Sequence, residues 1–330
     1  MDNSELTKKK FQEIAEKIDD FILNNLSNKV LTLWKASQHY ITAGGKRLRP
    51  FFIIKAYSLL AENYENIIPI AAAVEILHTF SLIHDDIMDQ DPIRRNVPTV
   101  HTKWDESLAI LAGDFLLSQA FVFVHHAKIP QDIKYRVLLE LGRVSSKLCE
   151  GQTMDIEFEE RIDVSIEEYM RMVELKTGAL FEVSTFIGGL CAKASKIQLK
   201  SLEEFGNKFG ISFQIIDDIL GLIGDEKKFG KPIGSDLREG KKTFLLIYAL
   251  EHLKNQEKRE LITILSKKEK TNEDISKGIE LIKNSGAIEI AKKIVKNKLD
   301  EAIAKLEIFP DSESKKELQK LALFSIQRTY

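Results

Sequence analysis

The sequence has few cysteines and few prolines, and each shortage excludes something. Two cysteines, Cys149 and Cys191, in a chain of 330 residues cannot build a disulfide framework. We therefore expect a reducing compartment and a cytoplasmic protein. None of the seven prolines lies between Pro130 and Pro232 or between Pro232 and Pro310. Stretches of that length without a helix breaker are typical of helical proteins.

The sequence also lacks a large excess of charge of either sign and has few long hydrophobic runs. The formal net charge is only -2, although 30% of the residues are charged, and this balance gives no reason to expect a nucleic-acid partner. The N-terminus lacks the basic start and apolar stretch of a signal peptide. Asp114 and Gln119 interrupt the longest apolar region, 108–124. This pattern predicts a buried core helix and no membrane span.

Apolar residues recur at three- and four-residue spacing, which is typical of helices that bury one face. One stripe runs from Ile70 to Phe80 and another from Phe205 to Ile216, whereas no sustained period-two alternation is present. The predicted fold class is all-α. The segment 221–240 contains five of the seventeen glycines and is predicted to be a loop. Predicted helices lie over 5–25, 28–42, 50–61, 68–89, 105–127, 131–151, 165–191, 199–222, 241–253, 257–267, 273–285, 287–306 and 312–328.

An acidic cluster follows the almost wholly apolar stretch 67–83. Asp85 and Asp89 are four residues apart, so they lie on one helical face, one turn from each other. Two carboxylates ~6 Å apart repel by roughly 3 kcal/mol at an effective dielectric constant of ~20. The negative end of the helix dipole adds to this cost. A cation is therefore expected, and ligands that offer only oxygen favour Mg²⁺ over zinc.

A second acidic pair strengthens this interpretation. An isolated Asp-Asp-x-x-Asp is equally well explained as a solvated helix end. However, the segment 213–218 also ends an apolar helix with two acids, Asp217 and Asp218. If two such helices face each other, they form a dry tunnel with a metal site at its mouth.

Basic residues occur near both acidic clusters, and magnesium held by carboxylates usually also binds substrate phosphates. Each basic residue alone is more often a solvated side chain, and His78 alone is more often a core histidine. Their order along the chain, together with the acidic pairs, is the specific signal. These residues are Lys46, Arg47 and Arg49 after two glycines, then Arg94, Arg95, Lys176, Lys231, Lys241 and Lys242.

This order of motifs resembles the trans-isoprenyl diphosphate synthase, or polyprenyl synthetase, family over residues 30–328, and most closely its archaeal-type geranylgeranyl diphosphate synthases. The segments 85–89 and 213–218 look like the two aspartate-rich motifs of that family. The resemblance implies one prenyl diphosphate synthase domain over 1–330. It also implies an isoprenoid-synthase-like helical bundle around a central cavity, usually assembled as a homodimer.

The resemblance further implies a role for each candidate residue. Asp85, Asp89 and Asp217 would hold Mg²⁺, with about three ions per active site, while Asp86 and Asp218 support them. The implied catalytic set is Asp85, Asp86, Asp89, Lys176, Gln214, Asp217 and Asp218. Isopentenyl diphosphate would be bound by Lys46, Arg49, His78 and Arg95. The allylic diphosphate would be bound by Arg94, Lys176, Thr177, Gln214, Lys231 and Lys241.

The implied activity is a prenyltransferase reaction: head-to-tail condensation of isopentenyl diphosphate with dimethylallyl, geranyl or farnesyl diphosphate. The allylic carbon–oxygen bond breaks to give a delocalised cation, and Mg²⁺ with nearby basic side chains stabilises the leaving diphosphate. As in the family, the Gln214 amide and the carbonyls of Lys176 and Thr177 stabilise the cation. An apolar tunnel keeps out the water that would quench it.

Two positions depart from the family pattern. The family has Arg-Arg-Gly after the first motif, whereas this chain has Asn96 in place of the glycine. Asparagine tolerates positive φ, so the turn is expected to survive. Gly221 stands where many members have a third aspartate, so this helix offers two aspartates, Asp217 and Asp218.

Phe80 is the candidate for limiting the product to geranylgeranyl diphosphate. It lies five residues before Asp85, about 7.5 Å lower on the helix axis, where an aromatic ring would form the floor of the tunnel. In the resembling family, an aromatic residue at this place accompanies a twenty-carbon product. A plain core phenylalanine explains the same residue equally well.

Other functions remain open at this point. A synthase making farnesyl or longer products would carry the same motifs. A terpene cyclase would not need the isopentenyl diphosphate site suggested by Lys46, Arg49 and His78. A non-catalytic regulatory subunit would be free to lose its metal ligands, and a helical scaffold would not need paired acidic motifs.

Overall fold

The computed structural model describes residues 3–26, 29–224 and 233–327, apart from the side chains of 3–9 and 325–327. The candidate Lys231 therefore lies outside the described residues. The predicted all-α class is confirmed. The helices are α1 (Asn3–Asn25), α2 (Leu31–Thr42), α3 (Leu48–Tyr57), α4 (Ile68–Met88), α5 (Val100–Lys103), α6 (Glu106–His126), α7 (Gln131–Glu159), α8 (Ile166–Val173), α9 (Ala179–Cys191), α10 (Lys196–Ile223), α11 (Ser235–Glu239), α12 (Phe244–His252), α13 (Asn255–Leu265), α14 (Asn272–Asn284), α15 (Ala287–Lys305) and α16 (Glu313–Gln327).

The described residues form two compact units, to which α7 and α10 both contribute. The first unit draws on Met1–Ser146, Leu180–Gly206 and Lys305–Gln319, and the second on Lys147–Ala179, Asn207–Ala304 and Lys320–Tyr330. One domain over 1–330 stays a prediction.

Helix α4 is the core of the first unit and carries the first acidic motif at its end. Its residues Ile70–Leu77 are all buried, because α1, α3 and α6 pack around it. Pro69 lies in its first turn, where a missing N–H leaves no hydrogen bond unmade. Nearby, the rings of Phe181 and Phe205 pack on Phe52 at centroid distances of 5.4 and 5.9 Å.

Two helices in the described chain are long and apolar enough to cross a membrane by length and composition. For Tyr64–Met88, 78% of the apolar window is buried inside the protein, as expected of a core helix. For Glu106–His126, which is α6, only 39% is buried. The apolar character of α6 is therefore not accounted for by its own unit.

The predicted helix 165–191 is interrupted in the structure. Ser165 and Glu168 form the capping box expected from the sequence, but a π-helical turn at Glu174–Gly178 separates α8 from α9. Gly151 of α7 packs directly on this turn, since a Cβ on Gly151 would overlap the backbone of Lys176. Single π-helical turns inside helices frequently occur at functional sites.

Further predictions also differed from the structure, and one of them is the loop 221–240, which contains the short helix α11. Helix α7 continues to Glu159 rather than ending at 151, and α3 ends at Tyr57 rather than 61. A two-stranded hairpin, β1 (Ile93–Arg94) with β2 (Val97–Pro98), was not expected. Its strands have two residues each, too short to show an alternating pattern in the sequence.

Candidate active site

The first acidic motif ends α4, and its middle aspartate is turned into the protein. Asp86 is 0% exposed. Arg94 donates from Nε to Oδ1 at 2.6 Å, and the Tyr40 hydroxyl donates to Oδ2. Burial raises the pKa of Asp86, and these partners offset only part of that shift. Asp85 and Asp89 are only half-buried, so the accessible carboxylates of the motif are its first and last.

The hairpin after this motif places Arg94 beside Asp86. Its two central residues, Arg95 and Asn96, have φ of 53° and 61°. Left-handed conformation at both positions is the requirement of a type I′ turn, which matches the natural twist of a hairpin. The expectation that Asn96 can replace the family's glycine is confirmed.

Arg49 and His78, both assigned to isopentenyl diphosphate in the sequence analysis, lie side by side in the first unit. Arg49 Nη1 lies 3.0 Å from His78 Nε2, and the guanidinium lies 4.6 Å from the centre of the Phe181 ring. Burial, and then nearby arginines, lower the pKa of His78 well below 6.5. His78 is therefore neutral at pH 7, and its Nε2 accepts the hydrogen bond.

Arg95 joins this basic region through backbone contacts. Its Nη1 donates to the Tyr40 carbonyl at 2.7 Å and also to the Gly44 carbonyl. Burial lowers the pKa of Arg95 below its usual value, although the guanidinium stays charged at neutral pH. Lys46 is exposed in the loop before α3.

Arg47 has a different role from its neighbours in the basic run. Its side chain is 0% exposed, with Nε 2.6 Å from Asp19 and Nη1 3.2 Å from Glu75. Its Nη2 donates to the Ile41 carbonyl at 2.8 Å, and its φ of 45° places it just before α3. Arg47 is therefore part of the fold, which leaves Lys46 and Arg49 as the candidate ligands of this run.

The second acidic motif repeats the arrangement of the first. Asp218 is 6% exposed. The Tyr169 hydroxyl donates to its Oδ2 at 2.6 Å, and Gln214 Nε2 donates to Oδ1 at 2.9 Å. The backbone N–H of Phe244 adds a weaker contact at 3.4 Å. Asp217, one residue earlier, is half-buried and is the accessible acid of the pair.

The π-helical turn connects two candidate residues to this motif. Thr177 donates from Oγ1 to Gln214 Oε1 at 2.9 Å. Because the Gln214 Nε2 donates to Asp218, its Oε1 faces Thr177. Lys176 Nζ pairs with Asp155 on α7. Lys176, Thr177 and Gln214 are thus brought together within the second unit.

Lys241 lies at a small pocket behind the second motif. Asp218, Gly221 and Asp236 line the same pocket, and Lys241 Nζ lies 3.3 Å from Glu239. A Cβ on Gly221 would lie 3.0 Å from Asp236 Oδ2. Asp236 therefore fills the space beside the position where the family often has a third aspartate.

The accessible acids fit magnesium but do not form a complete protein cage. Among the described residues, no three Asp, Glu, His or Cys side chains come together as a metal site. Asp85 with Asp89, and separately Asp217, offer oxygen ligands only. Mg²⁺ is usually held by one or two carboxylates, substrate phosphates and water. The donor chemistry therefore matches a metal that arrives with a diphosphate.

The model of the polyprenyl synthetase family matches residues 31–282. The chain belongs to the polyprenyl synthetase family. It is similar to the geranylgeranyl diphosphate synthase of Saccharolobus solfataricus, with 44% identity covering 96% of this chain and 97% of that protein. The geranylfarnesyl diphosphate synthase of Aeropyrum pernix is 40% identical over 94% of this chain and 99% of that protein. A crystal structure of geranylgeranyl pyrophosphate synthetase from Pyrococcus horikoshii matches with a TM-score of 0.94 and 41% identity, covering 99% of each chain.

Family membership confirms the resemblance inferred from the two motifs, and the isoprenoid-synthase-like fold with it. The ligand roles of individual residues remain predictions, as does the expectation that the two motifs face a common cavity. Sequence reasoning missed three residues that order the site: Tyr40, Tyr169 and Asp155. No spacing in the sequence singles them out, because each acts through a partner far away along the chain.

Substituting Asp218 by asparagine is expected to flatten the pH dependence of stability. Burial raises the pKa of Asp218 from 3.8 to about 7, so the folded state holds a proton that the unfolded chain releases. This stabilisation is complete below pH 3.8 and is lost as the pH rises to about 7. Within that window the wild-type free energy of unfolding should fall relative to Asp218→Asn by up to about 1.4 kcal/mol per pH unit.

Urea unfolding at a series of pH values, without added magnesium, measures this difference. Glu167→Gln on the same unit is a suitable control, because the Glu167 side chain is not buried. Wild-type and Asp218→Asn curves that run parallel across the window would contradict the prediction.

Proposed function

We propose that this polyprenyl synthetase condenses isopentenyl diphosphate head to tail with allylic diphosphates, with geranylgeranyl diphosphate as the main product. The observation that carries the proposal is the shared design of the two motifs. In each, a tyrosine hydroxyl binds one buried aspartate while an adjacent aspartate stays accessible. A regulatory subunit or a scaffold would need neither accessible acid.

The basic groups of the first unit suit isopentenyl diphosphate. Arg49 is oriented by neutral His78 and by the face of Phe181, so its guanidinium is positioned before substrate arrives. Arg95 is fixed by two backbone carbonyls. Arginine suits this task because its planar fork of donors matches phosphate geometry and keeps its charge. Lys46 supplies a further charge from the exposed loop.

Most of the groups assigned to the allylic substrate, apart from Asp85, Asp89 and Arg94, belong to the second unit. Bound Mg²⁺ would neutralise charge on the leaving diphosphate, held by Asp85, Asp89 and Asp217. Lys176 is held in place by Asp155 and can stabilise the same charge. Gln214 is fixed between Thr177 and Asp218, so its amide dipole needs no reorganisation as the allylic cation forms. Arg94, Lys231 and Lys241 complete the proposed allylic set.

We assign the control of product length to Phe80. Its ring is 8% exposed and packs edge-to-face on His84 at a centroid distance of 5.2 Å. His84 in turn fits against Gly113 of α6, where a Cβ would overlap the imidazole. This backing holds the phenyl ring in place and supports its role as the floor of the tunnel.

Replacing Phe80 by alanine should lengthen the products beyond twenty carbons, because the ring that stops the growing chain is removed. Chromatography of products made from labelled isopentenyl diphosphate measures the distribution. Phe123→Leu, a buried substitution elsewhere in the first unit, controls for general loosening of the core. A distribution that stays at geranylgeranyl diphosphate in Phe80→Ala would reject the assignment.

A homodimer is proposed from the apolar surface of α6. Ile110, Leu111 and Val122 on this helix are 42–57% exposed, and Leu139 of α7 is 51% exposed. Exposed apolar patches of this kind mark interaction sites. A second copy of the chain is the occupant expected from the family, and a cytoplasmic location accords with the reducing compartment inferred from the cysteines.

Leu111→Glu should convert the dimer to a monomer, since a carboxylate would be buried against the partner without a counter-charge. Sedimentation velocity measures the assembly state. Ile197→Glu is the matched control, because Ile197 is 74% exposed outside this surface and its substitution should leave the dimer intact. A wild-type monomer, or equal behaviour of both variants, would contradict the proposal. A wild-type assembly that dissociates only when detergent is added would indicate that this surface contacts a membrane.

The central experiment is incubation with labelled isopentenyl diphosphate, each allylic primer and Mg²⁺. Wild-type enzyme should elongate dimethylallyl, geranyl and farnesyl diphosphates and lose activity with EDTA. Asp85→Asn and Asp217→Asn should each lower kcat by at least about a hundredfold, as loss of a group that stabilises transition-state charge does. No condensation with any primer would favour a regulatory subunit, and cyclised hydrocarbons would favour a terpene cyclase.

A further inference from the structure

Two buried polar atoms on α7 have no protein partner. The Gln152 side chain is 7% exposed, and neither its Nε2 nor its Oε1 reaches a hydrogen-bond partner among the described residues. Buried amide groups are nearly always hydrogen-bonded, because losing contact with water without replacement destabilises the fold. Such an amide needs a polar partner from outside the protein, either an ordered water or a ligand.

Glu317, the other buried side chain with two atoms that lack a hydrogen bond, differs in kind. Its oxygens lie 2.6 Å from Lys55 Nζ and 3.3 Å from Lys10 Nζ, so cations compensate its charge within the first unit. Gln152 belongs to the second unit and has no such compensation from described residues. The unpaired amide of Gln152 therefore differs from the Glu317 carboxylate, which has two lysines beside it.

Gln152 lies on α7 directly after the glycine that packs on the π-helical turn. Its neighbour Gly151 contacts the backbone of Lys176. Asp155, three residues after Gln152 and therefore on the same face, pairs with Lys176 Nζ. The polar side chains described in this region already have partners: Thr177 donates to Gln214, and Lys176 pairs with Asp155. They do not satisfy the Gln152 amide.

We propose that the Gln152 amide is a further binding group for the allylic diphosphate, donating from Nε2 to a diphosphate oxygen beside Lys176. This inference rests on the proposed function and adds a residue to its allylic site. An uncharged donor suits this position, because Lys176 already supplies the positive charge and Asp155 balances it. The amide then gains in the complex the partner that the protein alone does not provide.

Gln152→Met tests the proposal by removing the amide while keeping the length of the side chain. In the absence of ligand the variant should melt at a higher temperature than wild type, since two unpartnered buried atoms are gone. With Mg²⁺ present, its Kd for a dimethylallyl thiodiphosphate, which resists ionisation, should rise about tenfold, equivalent to about 1.4 kcal/mol. The KM for isopentenyl diphosphate should stay unchanged.

Gln256→Met, an exposed substitution on α13, is the matched control and should alter neither stability nor affinity. Gln152→Glu provides a second measurement if the methionine variant fails to fold, and its carboxylate should weaken binding further by repelling the diphosphate. Unchanged allylic affinity in a folded Gln152 variant would overturn the inference, whatever its melting temperature. If wild type condenses the substrates in that case, only this inference fails and the proposed function stands.

Discussion

A hydrogen bond from a tyrosine hydroxyl to a buried aspartate underlies each acidic motif. The Tyr40 hydroxyl donates to Asp86 in the first unit, and the Tyr169 hydroxyl donates to Asp218 in the second. A buried carboxylate is unfavourable unless donors satisfy it, and here each has at least one further donor. Successive helical residues point about 100° apart. When one aspartate of a pair points into the protein, its neighbour therefore points toward the accessible side. The buried aspartate holds the motif in place, and the accessible one is the candidate ligand.

Irregular backbone does much of the positioning around these pairs. The left-handed Arg47 starts α3 and brings Arg49 to His78. The type I′ turn at 95–96 returns Arg94 to Asp86. The π-helical turn at 174–178 places the Thr177 hydroxyl within hydrogen-bond distance of Gln214. Each departure from regular geometry places one polar side chain, which regular helices alone would not bring to the end of a motif.

Most of the helices and the accessible acids could be predicted from the sequence, because both depend on local spacing. The 3.6-residue period located α4 and α10, and the four-residue separation of Asp85 and Asp89 put them on one face. The turn at Asn96 was also predictable, since few residues tolerate positive φ. Family membership then supported the activity inferred from these motifs.

What could not be predicted depends on contacts between distant parts of the chain. The π-helical turn packs closely on Gly151, more than twenty residues earlier in the chain, and the buried Asp86 is bound by Tyr40, 46 residues away. No sequence pattern distinguishes buried Arg47 from exposed Lys46, because the carboxylates that pair with Arg47, Asp19 and Glu75, lie 28 residues away on either side. A periodic pattern carries no information on such partners.

Gly221 and Asp236 illustrate how such a contact limits sequence change. Because Asp236 Oδ2 lies 3.0 Å from the place of a Cβ on Gly221, an acid introduced at 221 would meet a second carboxylate at close range. An aspartate at position 221 could therefore be accommodated only if residue 236 had changed or moved. The two positions are thus expected to evolve together, with the order of substitutions set by electrostatic repulsion.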